Sequence, residues 1–319
     1  MKFVIIALAV LVFIAVSLLV FGAVGFKMSC VSNRNKKPPT DEKRIKRIEI
    51  RKKNNAYFYS HNPEDLAIKT PDGLTLRAWY SPAEKQTKRF VIAIHGHNCN
   101  GPDECAHLYP FYHNDLGYNF LLPDLRGHGR SDGNLIGFSG LDYKDIKLWM
   151  DYLVERFGED IEIMLHGISM GAATSMMVNN TNPREQLRLI VEDCGFTNAF
   201  EEVAVTTSNM LGGIKVDRLV NLFNIYCRLI AKYDLKKDAD PLGTMKNAKN
   251  PVLFVHGEED TFVPFPMCQR LYDACPVEKD IFTVPGAIHA YSYYDARDEY
   301  NEKVRAFIEK YWDKNRVSK

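Results

Sequence analysis

The sequence predicts an α/β protein with a mostly parallel, doubly wound sheet, an inserted helical cap and one transmembrane helix ahead of them. Short apolar runs alternate with amphipathic segments from residue 90 to residue 312, and such alternation is typical of parallel βαβ units. One of these runs ends in a glycine-flanked serine turn, Gly167–Gly171, which leads directly into small helix-forming residues. The third observation is an uncharged stretch of 24 residues, Phe3–Phe26, near the N-terminus.

Composition and charge restrict the class of protein further. The 319 residues are 46% hydrophobic and 25% charged, which suits one large α/β domain. The net charge of +1 is unevenly spread: Lys2 carries +1 and residues 27–53, with eleven Lys and Arg against three acids, carry +8, so residues 54–319 carry −8. An acidic folded part argues against nucleic-acid binding. The seven cysteines form no Cys-x-x-Cys motif, which predicts no disulfide framework, although a bridge between Cys99 and Cys105 stays open.

Residues 1–26 are predicted to form an uncleaved, single-pass anchor in the cell membrane. As a helix, Phe3–Phe26 would extend about 36 Å, enough to cross a bilayer, and it exceeds the apolar core of a cleaved signal peptide. Residues 27–53 form a basic stem that includes the polar linker Ser32–Thr40. Because basic residues favour the cytoplasmic side, we expect the domain at residues 54–319 to be cytoplasmic.

The domain begins with an antiparallel hairpin over Ala67–Tyr80, which turns at Pro71-Asp72-Gly73. Six buried strands are predicted after it: Phe90–Ile94, Asn119–Leu122, Ile161–Leu165, Leu187–Glu192, Val252–Val255 and Asp280–Val284. Helices are predicted at Pro102–Leu116, Leu141–Phe157, after the serine turn, and at Asp295–Trp312. The segment Thr197–Lys249 is longer than a crossover needs. We therefore expect it to form a helical cap with helices over Asn198–Leu211 and Val216–Tyr233.

Ser169 is the candidate nucleophile. It lies at the tip of a strand–turn–helix unit, where a strained backbone requires small neighbours, here Gly167 and Gly171. A serine hydroxyl needs a base within hydrogen-bond reach, and the base needs a carboxylate that orients it. Asp260 and His289 follow two later strands, in the chain order that accompanies such a serine turn.

Other residues compete for these roles. Asp193 follows an earlier strand and is a minor alternative to Asp260. His166 lies inside a strand end, whereas His95 is interpreted as a structural hydrogen-bonding residue. The oxyanion of a tetrahedral intermediate would accept from the backbone N–H groups of Met170 and His97. His95, His97 and Asp103 could alternatively hold zinc, although we expect neither a metal nor a cofactor.

Four motifs resemble those of the α/β-hydrolase superfamily, in its bacterial esterase and serine-peptidase-like branch. They are His95-Gly96-His97, Asp124–Gly133, Gly257–Pro264 and Gly286–Ala290, and the resemblance extends from about Ala67 to Trp312. It implies an α/β-hydrolase fold and a Ser-His-Asp triad. The cap departs from a clear pattern, and caps determine substrate specificity in this superfamily.

These observations lead to the expectation of a membrane-anchored serine hydrolase that cleaves a carboxylic ester of a small acyl substrate through an acyl-enzyme. A peptidase, thioesterase or acyltransferase with the same triad is the alternative, since one triad serves all of them. The remaining alternative is a non-catalytic binding domain at the membrane. The sequence does not indicate an oligomeric state.

Overall fold

The computed structural model describes residues 2–32, 41–179 and 185–313, which form eight strands and eleven α-helices. The strands are β1 (Glu64–Lys69), β2 (Thr75–Ser81), β3 (Arg89–Ile94), β4 (Asn119–Asp124), β5 (Glu162–Ile168), β6 (Leu187–Asp193), β7 (Val252–Gly257) and β8 (Lys279–Val284). The helices are α1 (Lys2–Cys30), α2 (Glu42–Ser60), α3 (Gly101–Cys105), α4 (Asp142–Phe157), α5 (Met170–Val178), α6 (Ala199–Met210), α7 (Asp217–Tyr226), α8 (Pro241–Met245), α9 (Phe265–Ala274), α10 (Ser292–Asp295) and α11 (Arg297–Ile308).

All strands belong to one sheet in the order β1-β2-β4-β3-β5-β6-β7-β8. The β1–β2 and β2–β4 pairs are antiparallel, and the pairs from β4 to β8 are parallel. Separate apolar clusters cover the two faces of the sheet. The prediction of a mostly parallel, doubly wound sheet is therefore confirmed. Chain order reverses on the two sides of β3, and ligand sites in open α/β sheets lie beyond the strand ends at such a point.

Two predicted helices are interrupted. The helix predicted at Pro102–Leu116 consists of α3, a 3₁₀ turn at Ala106–Leu108 and a π-helical turn at Pro110–Asp115. Pro110 supplies no backbone N–H, so a regular α-helix cannot continue through it. The C-terminal helix predicted at Asp295–Trp312 consists of α11 and a final π-helical turn at Glu309–Asp313, and the short helix α10 ends at its first residue.

The predicted cap is present as α6 and α7, which occupy the two helical stretches expected within Thr197–Lys249. A π-helical turn at Cys227–Ala231 extends α7, and Lys232 ends it with a φ of 61°. The short helix α8 follows before the chain enters β7. The cap and the sheet share one apolar cluster, in which Phe200, Val220 and Phe223 are buried.

Helix α1 is the one helix among the described residues that is long and apolar enough to cross a membrane. Its last turns pack against α7 and the turn after it through Gly22, Phe26 and Cys30, which are spaced four residues apart. A Cβ on Gly22 would lie 3.1 Å from the Tyr226 ring, so the two helices approach closely there. Phe26 packs against Phe223, with 6.3 Å between ring centroids. The helix predicted as an anchor is thus also part of the cap's packing.

Part of the predicted basic stem is helical and packs on the domain. Residues 33–40, most of the predicted linker, lie outside the described residues. Helix α2 crosses the domain boundary predicted at residue 54, and its Phe58 is buried against Tyr109. Arg47 and Arg51 pair with the buried carboxylate of Glu104. Burial would raise the pKa of Glu104, but the two guanidinium groups outweigh it and hold that pKa well below its usual range. Arg47 and Arg51 therefore pair with a buried carboxylate of the domain rather than with lipid headgroups.

Candidate active site

The serine turn has the strained geometry that its sequence predicts. Strand β5 ends at Ile168, α5 begins at Met170, and Ser169 between them has a φ of 57° and a ψ of −118°. A Cβ on Gly167 would collide with the carbonyl oxygen of Gly171, and one on Gly171 would collide with that of Ile94. Only glycine fits at both positions, so the turn can bring Ser169 beside the end of β3.

Three predicted side chains meet at this edge of the sheet. The Oγ atom of Ser169 lies 2.9 Å from Nε2 of His289. On the other side of the ring, Nδ1 of His289 lies 2.7 Å from Oδ2 of Asp260. Asp260 comes from the β7–α9 loop and His289 from the β8–α10 loop. This arrangement allows the hydroxyl to donate to the imidazole while the imidazole donates to the carboxylate.

The Asp260 carboxylate is held rigidly and remains ionised. Its side chain is fully buried, and Oδ1 accepts the backbone N–H groups of Phe262 and Val263, each at 2.9 Å. Burial raises the pKa of Asp260, but hydrogen bonds from His256 and His289 outweigh it and lower that pKa to about 2. His256 was missed in the sequence analysis, although it lies at the end of β7, four residues before Asp260.

The competing residues have other partners. Asp193 accepts the hydroxyl of Tyr300 at 3.0 Å, and burial raises its pKa to about 6. His166 lies between Tyr112 and Tyr300. Nε2 of His95 accepts the backbone N–H of Leu125 at 3.0 Å, which joins the loops after β3 and β4. These contacts agree with the interpretation of His95 as structural.

The donors predicted for an oxyanion lie beside Ser169. Met170 is in the first turn of α5, where backbone N–H groups have no acceptor within the helix. The loop after β3 passes close to the nucleophile, since a Cβ on Gly96 would lie 3.2 Å from that of Ser169. Its next residue, His97, lines the same cavity as Met170 and Ser169.

The zinc alternative does not match the donor groups that the structure brings together. Nε2 of His97 contacts the backbone oxygen of Ser29 at 2.8 Å, and His95 is engaged as described. The one cluster of metal-binding side chains among the described residues is Cys194, Asp260 and His289. Burial raises the pKa of the Cys194 thiol well above its usual value, and the other two bind each other. This donor set fits a hydrogen-bonded relay better than a metal site.

An apolar cavity of about 420 Å³ opens above Ser169. Cap helices α6 and α7 form much of its lining, and five residues of α1 form another part of it: Phe21, Val24, Gly25, Met28 and Ser29. Glu202 of α6 is the one carboxylate among the described lining residues. It is 4% exposed, and burial, which disfavours the charged form, raises its pKa to about 8. Neither Glu202 nor these α1 residues were predicted from the sequence to line the site.

Two family models match the chain. The model described as serine aminopeptidase, S33, matches residues 85–242, and the model of the dienelactone hydrolase family matches residues 225–314. The esterase Pf2001 of Pyrococcus furiosus superposes on this chain with a TM-score of 0.67 at 18% identity. The superposition covers 89% of this chain and 99% of the esterase.

Curated relatives are similar at about one residue in four. The uncharacterized protein YqkD of Bacillus subtilis is 25% identical over 230 residues, which are 72% of this chain and 74% of that protein. The lysophosphatidylserine lipase ABHD12 of Danio rerio is 25% identical over 206 residues, 64% of this chain; the match spans about half, 51%, of the lipase. Two hydrolase family models together match residues 85–314, which contain the parallel strands β3 to β8. The chain therefore belongs to the α/β-hydrolase superfamily and is a hydrolase.

Proposed function

We propose that the protein is a serine esterase, with Ser169 as nucleophile, His289 as general base and Asp260 as the carboxylate that orients the base. The observation that carries this proposal is the pair of contacts at 2.9 Å and 2.7 Å that link the three side chains at a strained serine turn. A buried carboxylate on one imidazole nitrogen leaves the other free to accept the serine proton.

The proposed reaction has two halves. Nε2 of His289 takes the proton of Ser169 as Oγ attacks the ester carbonyl, and the backbone N–H groups of Met170 and His97 stabilise the oxyanion. Collapse breaks the bond to the alkoxy oxygen, and His289 protonates the departing alcohol. Water then attacks the acyl-serine with His289 as base, the acyl–Oγ bond breaks, and the proton returns to Ser169 as the carboxylic acid leaves.

The cavity supports an ester with an apolar acyl group. Its lining is mostly aliphatic and aromatic, and such a lining binds hydrocarbon by removing it from water. An aminopeptidase substrate would present a charged α-amino group, whereas burial raises the pKa of Glu202, the one described carboxylate of the lining, and disfavours the charged form that would pair with that group. An esterase and a lysophospholipid lipase among the similar proteins agree with this choice.

A fluorophosphonate probe tests the proposal, because it reacts with activated serines. We expect the full chain in detergent micelles to be labelled, Ser169→Ala to lose labelling, and Ser175→Ala to keep it. Ser175 is a matched control because it is a buried serine of the same helix, whose hydroxyl donates to the backbone of Gly171. Equal labelling of the wild type and Ser169→Ala would refute the proposal. Comparison of an ester with an aminoacyl amide of the same acyl group then separates esterase from peptidase.

We also propose that α1 anchors the protein in the cell membrane with the domain in the cytoplasm. The support is the apolar length of α1 and the basic residues that follow it, of which Lys46, Lys52 and Lys53 are exposed. Basic residues next to a span are retained on the cytoplasmic side. We expect protease added to intact spheroplasts to leave the domain uncut; digestion without lysis would contradict the cytoplasmic assignment.

A further inference from the structure

Helix α1 contributes a wall to the cavity above Ser169. Its lining residues, Phe21, Val24, Gly25, Met28 and Ser29, recur at the three- and four-residue spacing of one helical face. A span that served only as a tether would need no contact with the catalytic cavity. Here the last two turns of the apolar helix enclose the space that the substrate would occupy.

Specific contacts hold this wall in place. An adjacent face of α1, formed by Gly22, Phe26 and Cys30, is buried against α7 and the turn after it. The hydroxyl of Tyr226 donates to the backbone oxygen of Leu19 at 3.0 Å. At the other end, His97 of the β3–α3 loop contacts the backbone oxygen of Ser29. The wall is therefore tied to both the cap and the oxyanion loop.

The cap extends the apolar surface of α1. Six large apolar side chains are exposed at the end of α6, in the loop after it, and on α7 with its terminal turn: Met210, Leu211, Ile214, Ile225, Leu229 and Ile230. Exposed apolar patches of this kind mark contacts with proteins or membranes. Leu19 to Ser29 span about 15 Å along the helix axis, so a membrane crossed by α1 would meet the cap at the depth of one leaflet.

We propose that the substrate is an acyl lipid taken from the bilayer, and that its acyl chain enters the cavity between α1 and the cap, with α1 as one wall of the acyl-binding site. This inference rests on the proposed esterase function and adds the source of the substrate and the role of α1. In this arrangement the exposed cap residues lie in the same leaflet as the last turns of α1, so the acyl chain passes from lipid to cavity without crossing water.

The dependence of activity on acyl length tests whether α1 forms a wall of the acyl-binding site. The full chain is placed in nanodiscs of an ether-linked phosphatidylcholine, which it cannot hydrolyse. Val24→Phe adds bulk to a lining residue that is 51% exposed, and Val16→Phe makes the same change two turns away, outside the lining. Each methylene kept out of an apolar site lowers binding about fourfold. We therefore expect Val24→Phe to reduce the ratio of kcat/KM for p-nitrophenyl palmitate to that for the butyrate by about tenfold or more, and Val16→Phe to leave it unchanged.

Each outcome bears on one proposal. Met28→Trp is a second variant of a lining residue. If the wild type, Val24→Phe and Met28→Trp all had the same ratio of kcat/KM for the palmitate to that for the butyrate, the role of α1 would be overturned. Fluorophosphonate labelling of each variant checks that the site has folded. A wild type that hydrolyses neither ester and resists labelling would instead overturn the esterase function.

Membrane contact of the cap has a readout that does not depend on activity. We expect bilayer lipids with brominated acyl chains to quench the fluorescence of Leu229→Trp on the cap more strongly than that of Glu155→Trp, an exposed position of α4. Equal quenching of the two variants would place the cap outside the leaflet and overturn uptake of the lipid from the bilayer.

Discussion

Replacing His289 with alanine should lower kcat/KM for an ester by about 10⁵-fold or more. Nε2 of His289 is 2.9 Å from Ser169 Oγ, so the variant lacks the group that would accept the serine proton and return it to the leaving alcohol. Steady-state kinetics with p-nitrophenyl butyrate measures the loss. His61→Ala is the control, since His61 contacts Tyr57 and Ser60 at the end of α2 and does not line the cavity.

The double variant Ser169→Ala with His289→Ala tests whether the two residues act as one catalytic unit. A base that acts only through the serine has no value once the serine is gone, so effects within one catalytic unit are not additive. We expect Ser169→Ala with His289→Ala to be no slower than either single variant. Losses that multiply would mean that His289 and Ser169 act separately, which contradicts the proposed relay.

Asp260→Asn should lower kcat by about 10⁴-fold. The amide keeps the shape of the carboxylate, but its NH₂ group cannot accept the N–H of His289, and its oxygen, which can, carries no charge that would stabilise the imidazolium. Asp193→Asn is the matched control, because Asp193 is also buried at the carboxyl end of its strand but accepts from Tyr300. We expect its effect to be at least about 100-fold smaller. Near-full turnover by Asp260→Asn would move the acid role to another residue.

The same variant should alter the dependence of stability on pH. The folded protein lowers the pKa of Asp260 from 3.8 to about 2, so its ionised form stabilises the fold fully above the unfolded pKa and loses that contribution as the pH falls toward 2. The shift corresponds to about 2 kcal/mol. Thermal unfolding at several pH values should therefore show Asp260→Asn farthest below the wild type near neutrality, with a gap that narrows in acid.

Residues close together in the sequence could be interpreted without a structure. A Cβ on Gly167 would collide with the backbone of Gly171 only four residues away, so the serine turn is restricted locally. Apolar periodicity indicated each parallel strand of the sheet. Asp260 and His289 were predicted because loops after parallel strands meet at one edge. That rule also admitted Asp193, and only the tertiary contacts separate the two acids: Asp260 contacts His289, whereas Asp193 accepts from Tyr300.

The sequence by itself determined the parallel sheet, the serine turn and the apolar span, because each depends on backbone conformation and side-chain spacing within one continuous stretch. The tertiary structure decided that α1 lines the cavity, that Glu202 faces it, and that α2 packs on the domain through Glu104. These contacts join residues far apart in the chain, such as Phe26 and Phe223. Their formation depends on how whole elements pack, and no local pattern carries that information.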